Sequence, residues 1–202
     1  MSFPAPPPLS ASLEAIVETL MTAIEARDAD LRRHSERVAR YAGEIASGLG
    51  FDEAALHQLY LGSLLHDIGN LGIPDSILLK PSGLTSWEFD EMKLHGIIGQ
   101  TICRPIEDLA PALPLIRSHH EKLDGSGYPD ELAGDEIPPT VRVLSVTDVY
   151  DTLRCERAYR DAFTHEKAIE ILQQEAERGW WDAKIVERLA NLTAPQSDFL
   201  SV

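Results

Sequence analysis

The chain has 202 residues, 44% of them hydrophobic and 25% charged, a balance that suits one ordinary globular domain. Its formal charge of −15 argues against broad electrostatic binding to nucleic-acid polymers or anionic lipid, so an anionic ligand would need local positive charge such as metal ions. The two cysteines, Cys103 and Cys155, match no disulfide framework or zinc spacing, and no apolar run approaches the ~20 residues of a membrane span, which together favour a cytoplasmic protein.

In chain order, the proline-rich start reads as a frayed arm over 1–9 or the end of a linker. From Ser10 or Ser12 as cap, Leu13, Ile16, Val17, Leu20, Met21 and Ile24 recur at helical spacing. A second helix aligns Leu31, His34, Val38, Tyr41, Ile45 and Leu49 on one stripe and stops at Gly50, which turns His34 inward. A third, capped by Asp52, carries Leu59, Gly62, Ser63 and His66 on one side. After Asn70 the chain breaks through Leu71-Gly72-Ile73-Pro74, and 85–102 reads as one helix opened by a Thr85/Glu88 capping box and containing His95. Pro111 and Pro114 suit a first helical turn, after which Leu113, Ile116 and His120 share a face, with His119 beside them. Residues 121–139, rich in glycine and proline, form a long loop of the kind that often carries function. The next helix places Val141, Leu144, Asp148 and Cys155 on a buried stripe, and helical patterns over 164–177 and 182–192 close the domain before a polar tail over 193–202. No alternating strand pattern and no repeat is present, so the fold class is all-α, one helical domain over 10–192.

The inward or helix-terminal polar groups are His34, His66, Asp67, His95, His119, His120 and Asp148, which use five of the seven histidines. One such histidine alone reads as a hydrogen-bonded core residue. Five imidazoles with two carboxylates exceed the needs of one tetrahedral zinc and suit two adjacent metals, with Asp67 as the bridging carboxylate. Such a pair implies phosphoester hydrolysis, and a donor set without thiolate accepts iron, manganese or zinc.

The strings His34-Ser35-Glu36-Arg37-Val38, His66-Asp67-Ile68-Gly69, His95 and His119-His120-Glu121-Lys122-Leu123-Asp124-Gly125-Ser126-Gly127-Tyr128-Pro129 resemble the HD-GYP family, a bacterial branch of the HD phosphohydrolases. The resemblance runs over about 28–182. It implies an all-helical domain with a buried polynuclear metal site, and hydrolysis of cyclic di-GMP to linear pGpG or GMP. It also implies that His34, His66, Asp67, His95, His119, His120 and Asp148 are metal ligands, with iron or manganese favoured over zinc. In some members a Glu one turn before the first His holds a third ion; Asp30 occupies that position here and reads equally as a solvated helix-start charge. Tyr128, Asp151, Arg157 and Arg160 would meet the dinucleotide, Asp28 would assist proton transfer, and the Gly-Tyr-Pro loop would offer a surface to diguanylate-cyclase domains. A homodimer through the first helix fits the same picture.

The chief departure is Asn70, where the family usually has Lys. An amide donates a hydrogen bond to phosphate but cannot offset developing negative charge as a cation does, at a cost of roughly one to several powers of ten in rate. Ala158 and Asp130 are milder departures that remove no ligand. Two readings follow: a cyclic di-GMP phosphodiesterase, slow if Asn70 matters, or a cyclic di-GMP-binding signalling module with little turnover. Hydrolysis of another nucleotide on the same metals is a third.

Overall fold

The computed structural model describes residues 9–156 and 161–193. Most of the N-terminal arm and C-terminal tail, and with them Arg157, Ala158 and Arg160, lie outside the described residues. Among those described there is no strand, and the all-α expectation holds.

Helix α1 (Ala11–Arg27) starts where Ser10 Oγ accepts from the Leu13 amide and buries Leu13, Val17, Met21 and Ile24. Asp28 ends α1 and caps α2 (Ala29–Gly48), accepting from the Asp30 amide; Gly50, at φ 81°, makes the left-handed turn that follows. Leu49, expected on the buried stripe, lies beyond the last turn of α2 and is exposed. Helix α3 (Glu53–Leu65) is capped by Asp52 and gives way at His66 to a 3-10 segment (Ile68–Gly72), and the short α4 (Asp75–Leu78), which the sequence pattern did not show, follows the expected break.

The predicted helix over 85–102 is two helices. Thr85 and Glu88 form the expected capping box at α5 (Ser86–Met92), but the chain turns at Lys93 and Leu94 before α6 (His95–Cys103). The reason is local: His95 Nδ1 takes the Met92 carbonyl at 2.7 Å, which a continuous helix would offer to the Gly96 amide. A 3-10 segment (Glu107–Ala112) containing Pro111 leads into α7 (Leu113–Ser118). Helices α8 (Pro139–Arg154), α9 (His165–Glu177) and α10 (Ala183–Thr193) complete the described chain.

Two apolar clusters hold these elements together. One joins α2, α3 and α8 to α9 and α10 through Ile45, Leu59, Val141, Leu144, Leu172 and Leu189. The other joins α1, α3 and α7 to the 3-10 segments through Ile24, Leu61, Leu65, Ile68, Leu109 and Ile116. Each fully buried Leu or Ile contributes about 1.5–3 kcal/mol of transfer free energy, enough in sum to hold a polar site among these helices.

Candidate metal centre

Five elements each deliver part of one polar cluster. His34 comes from α2, His66 and Asp67 from the end of α3, His95 from the start of α6, His119 and His120 from the end of α7, and Asp148 from α8. Most of these side chains are almost wholly buried; Asp67 and His120 keep some exposure. His66 and Asp67 can leave α3 as a pair because the chain turns there, and Gly69 makes the turn feasible. A Cβ on Gly69 would lie 1.8 Å from the His95 carbonyl oxygen and 2.6 Å from the Gly99 amide, so this close approach to α6 requires glycine.

The donor atoms converge. His34 Nε2 is 3.1 Å and His66 Nε2 3.8 Å from Asp148 Oδ1; Asp67 Oδ2 is 3.5 Å from His66 Nε2, while Asp67 Oδ1 is 3.7 Å from His95 Nε2. His95 Nε2 and His119 Nε2 are 3.1 Å apart. Donors about 2.1 Å from a shared ion at tetrahedral or octahedral angles lie ~3.0–3.4 Å apart, close to these separations. The groups fall into three overlapping sets: His34, His66 and Asp148; His66, Asp67 and His119; and His95, His119 and His120. Asp67 faces two different histidines with its two oxygens, as a bridging carboxylate must.

The histidines are oriented from behind. Nδ1 of His66 bonds the Ser63 carbonyl at 2.8 Å, that of His95 the Met92 carbonyl, and that of His119 the Leu115 and Ile116 carbonyls at 3.2 and 3.1 Å. A ring that donates from Nδ1 carries its lone pair on Nε2, the tautomer a metal ligand needs. His34 is held differently, by Asp151 Oδ2 at 2.7 Å from its Nδ1. Buried His66 Nε2 has no hydrogen-bond partner among the described residues, and a metal is the partner its chemistry fits.

Charge follows the same plan. Burial disfavours imidazolium at His34, but hydrogen bonds to Asp148 and Asp151 outweigh it and raise its pKa to about 10. Burial and the neighbouring histidines push His119 well below the usual range and His120 down to about 4, leaving neutral imidazoles. Burial opposes ionisation of Asp67 and Asp148, yet the surrounding histidines hold both carboxyls below their usual value. Neutral imidazole beside ionised carboxylate is the ligand-competent state, and a cation in the cluster would take the place of the imidazolium proton on His34.

The cluster opens into a cavity of about 540 Å³ lined by Asp28, Asn70, Lys80, Phe89 and Tyr128, among others. Asn70 is buried on its wall, and its Oδ1 has no partner among the described residues. Tyr128 stacks at 4.8 Å over the His120 ring, and burial beside Asp148 and Asp67 pushes its phenol above the usual range.

Two expected residues are placed elsewhere. Asp30 is not brought to the cluster; its side chain is 83% exposed and paired with Arg33. Asp151 does not offer a free oxygen to a guanine edge: it is buried, with Oδ2 on His34 and both oxygens forked by Arg37 at 2.7 and 2.8 Å.

Sequence reasoning missed Arg37, and also Arg27 and Glu121. Arg27 donates to the Leu71 and Ile73 carbonyls and so clamps the chain after Asn70. Glu121 is buried with its oxygens on the Asp130 and Leu132 amides at 2.7 and 3.1 Å, which fixes the Tyr128 loop. Gly127 is pressed against Glu121, where a Cβ would lie 2.4 Å from Cα. Asp130, a departure from the family string, forks with Arg117 at 2.6 Å through both oxygens. None of the three carries a local spacing signal: Glu121 reaches amides nine and eleven residues on, and Arg27 and Arg37 find their partners only in the packed fold.

The family model for the HD domain matches residues 18–185. The chain belongs to the HD domain family. Its His119 to Pro129 string places it in the HD-GYP branch. It is 40% identical over 174 residues to the "Cyclic di-GMP phosphodiesterase response regulator RpfG" of Xanthomonas campestris, covering 84% of this chain and 45% of that protein. It is 38% identical over 176 residues to the "3'3'-cGAMP-specific phosphodiesterase 2" of Vibrio cholerae, covering 86% of this chain and 34% of that protein. An HDG"Y"P protein from Bdellovibrio bacteriovorus shares the fold, with a TM-score of 0.66 at 20% identity over 80% of this chain and 52% of the other. The chain thus spans less than half the length of both curated relatives. No helix among the described residues is long and apolar enough to cross a membrane.

Proposed function

We propose that this HD-GYP chain is a metal-dependent phosphodiesterase that hydrolyses cyclic di-GMP to linear pGpG or GMP. The observation that carries the reading is Asp67, whose two oxygens face His66 and His95 in a buried donor set at the floor of a ligand-sized cavity. His34, His66, Asp67, His95, His119, His120 and Asp148 would hold two divalent ions. Iron or manganese is the preferred pair and zinc the alternative, since nitrogen and oxygen donors accept all three. A third ion at Asp30 is not part of the reading. Bound ions of this kind bring the pKa of water to near neutrality and neutralise the oxygens of a phosphate diester.

The residues do the rest. Carbonyl-tied imidazoles fix the donor directions, and the Asp151–Arg37 fork holds His34 in place. Asn70 can donate its amide to a phosphate oxygen, and Tyr128 offers a ring or hydroxyl to the dinucleotide. Asp28 lines the same cavity, within the region where a proton must be passed. Arg157 and Arg160 keep their proposed part in phosphate binding. The free thiols Cys103 and Cys155 fit a cytoplasmic setting.

Asn70 favours a second reading, a cyclic di-GMP-binding module with little turnover, and the Vibrio relative's name adds 3',3'-cGAMP to the substrates to be tried. The test is incubation of metal-loaded protein with cyclic di-GMP, 3',3'-cGAMP and a mononucleotide panel, followed by chromatography. Linear product from cyclic di-GMP supports the first reading. Tight binding without product supports the second.

A further inference from the structure

The cavity over the cluster has a wall that the ligand set does not use. Lys80 follows α4 and Phe89 lies in α5, and both line the cavity with Ile77, Leu84 and Tyr128. Among the described lining residues Lys80 is the one Lys or Arg, set against the carboxylates of Asp28, Asp67 and Asp148. Its Nζ is 2.5 Å from Glu88 Oε2, and the same oxygen accepts from Thr85 N at 2.7 Å and Thr85 Oγ1 at 2.9 Å. The ammonium is therefore anchored at the start of α5, with its side chain 24% exposed. One of its three N–H donors faces Glu88 and two remain for another acceptor. Phe89 is 44% exposed, edge-on to the Tyr128 ring at 6.1 Å and 82°, with Lys93 Nζ over one face 4.9 Å from the ring centre, so its other face is the one that can meet a planar ligand.

Building on the phosphodiesterase reading above, we propose that Lys80 and Phe89 form a half-site for the part of a cyclic dinucleotide that is not cleaved. A cyclic dinucleotide carries two phosphodiesters, and the metal cluster can engage only one at a time. The other arrives with its charge in a cavity where Asn70 is neutral and acidic groups abound. Lys80 pairs with that phosphate, and Phe89 stacks one base. A small diester without a second phosphate or a base would ignore both residues, so the half-site sets selectivity for the dinucleotide.

The test compares wild type with Lys80→Met, Lys80→Arg and Phe89→Ala, each metal-loaded and assayed for metal content and melting temperature. The readout is kcat/KM for cyclic di-GMP divided by kcat/KM for ethylene phosphate, a small diester with no aromatic ring, with Kd from calorimetry replacing KM if turnover is absent. Lys80→Met and Phe89→Ala should lower this ratio about ten-fold or more, through KM, at unchanged metal content, while Lys80→Arg keeps most of it. Ratios within about two-fold of wild type for both variants overturn the half-site and leave the phosphodiesterase reading standing. A fall that tracks metal loss also overturns it. Wild type that cleaves the small diester yet neither binds nor cleaves cyclic di-GMP overturns the phosphodiesterase reading, and the half-site with it.

Discussion

Asp151 Oδ2 lies 2.7 Å from Nδ1 of His34, and Arg37 grips the same carboxylate through Nε and Nη2. The pair is a positioning device: the carboxylate fixes the imidazole that faces Asp148, and the guanidinium offsets the cost of burying that carboxylate. Asp151→Asn keeps the shape and removes the charge. Metal affinity should fall about 10- to 100-fold, with one ion lost before the other, as read by titration against a competing chelator. Unchanged stoichiometry and affinity would show that His34 needs no such support.

Gly69 and Gly127 should tolerate no side chain. Gly69→Ala puts a methyl 1.8 Å from the His95 carbonyl oxygen, and Gly127→Ala one 2.4 Å from Glu121 Cα. Both clashes are with backbone, so relief needs a shift of α6 or of the Tyr128 loop, costing about 1–3 kcal/mol or more. Denaturant unfolding measures the loss. Gly83→Ala, with nothing within 4 Å of the added carbon, is the control.

How much of this was legible in the sequence depends on distance. Helical phase put His34 with Val38 and Asp148 with Leu144, so those two members of the buried cluster could be read from spacing alone. Caps at Ser10, Asp52 and Thr85 were equally local. Of the two readings of Asp30, the exposed side chain fits the solvated helix-start charge: i, i+4 spacing gives a face but not how far the core extends, and at the first turn of α2 Asp30 has passed the edge and meets Arg33. Arg37 and Asp151 become partners only when α2 packs on α8, which no local pattern states. The break at Lys93 arises because His95 takes the Met92 carbonyl, a demand of the site and not of helix propensity.

Glu88 gives a pH signature outside the cluster. Hydrogen bonds from Lys80 and Thr85 lower its carboxyl from 4.5 to about 2. A depressed carboxylate contributes stability that is fully present above its unfolded value and is lost as pH falls through the folded one. The Lys80 anchor should therefore hold down to about pH 4.5 and loosen between there and about pH 2. Carboxyl NMR of Glu88 checks this directly, and Lys80→Met should return its titration toward the ordinary range.

Asn70→Lys should raise turnover of cyclic di-GMP by about ten-fold or more, because a cation on that cavity wall offsets charge that an amide cannot. Asn70 lines the cavity, so a longer side chain there has open volume to extend into. Steady-state kcat reads the effect, and no gain would mean that charge at this wall does not limit the reaction.

Metal-dependent cleavage is tested most directly by product analysis of cyclic di-GMP incubated with protein loaded in turn with iron, manganese and zinc, beside Asp67→Asn treated identically. Wild type should yield linear pGpG or GMP with at least one metal, and Asp67→Asn should lose that product together with its bound metal. Intact cyclic di-GMP with all three metals, from wild-type protein shown to carry its ions, would contradict metal-dependent cleavage.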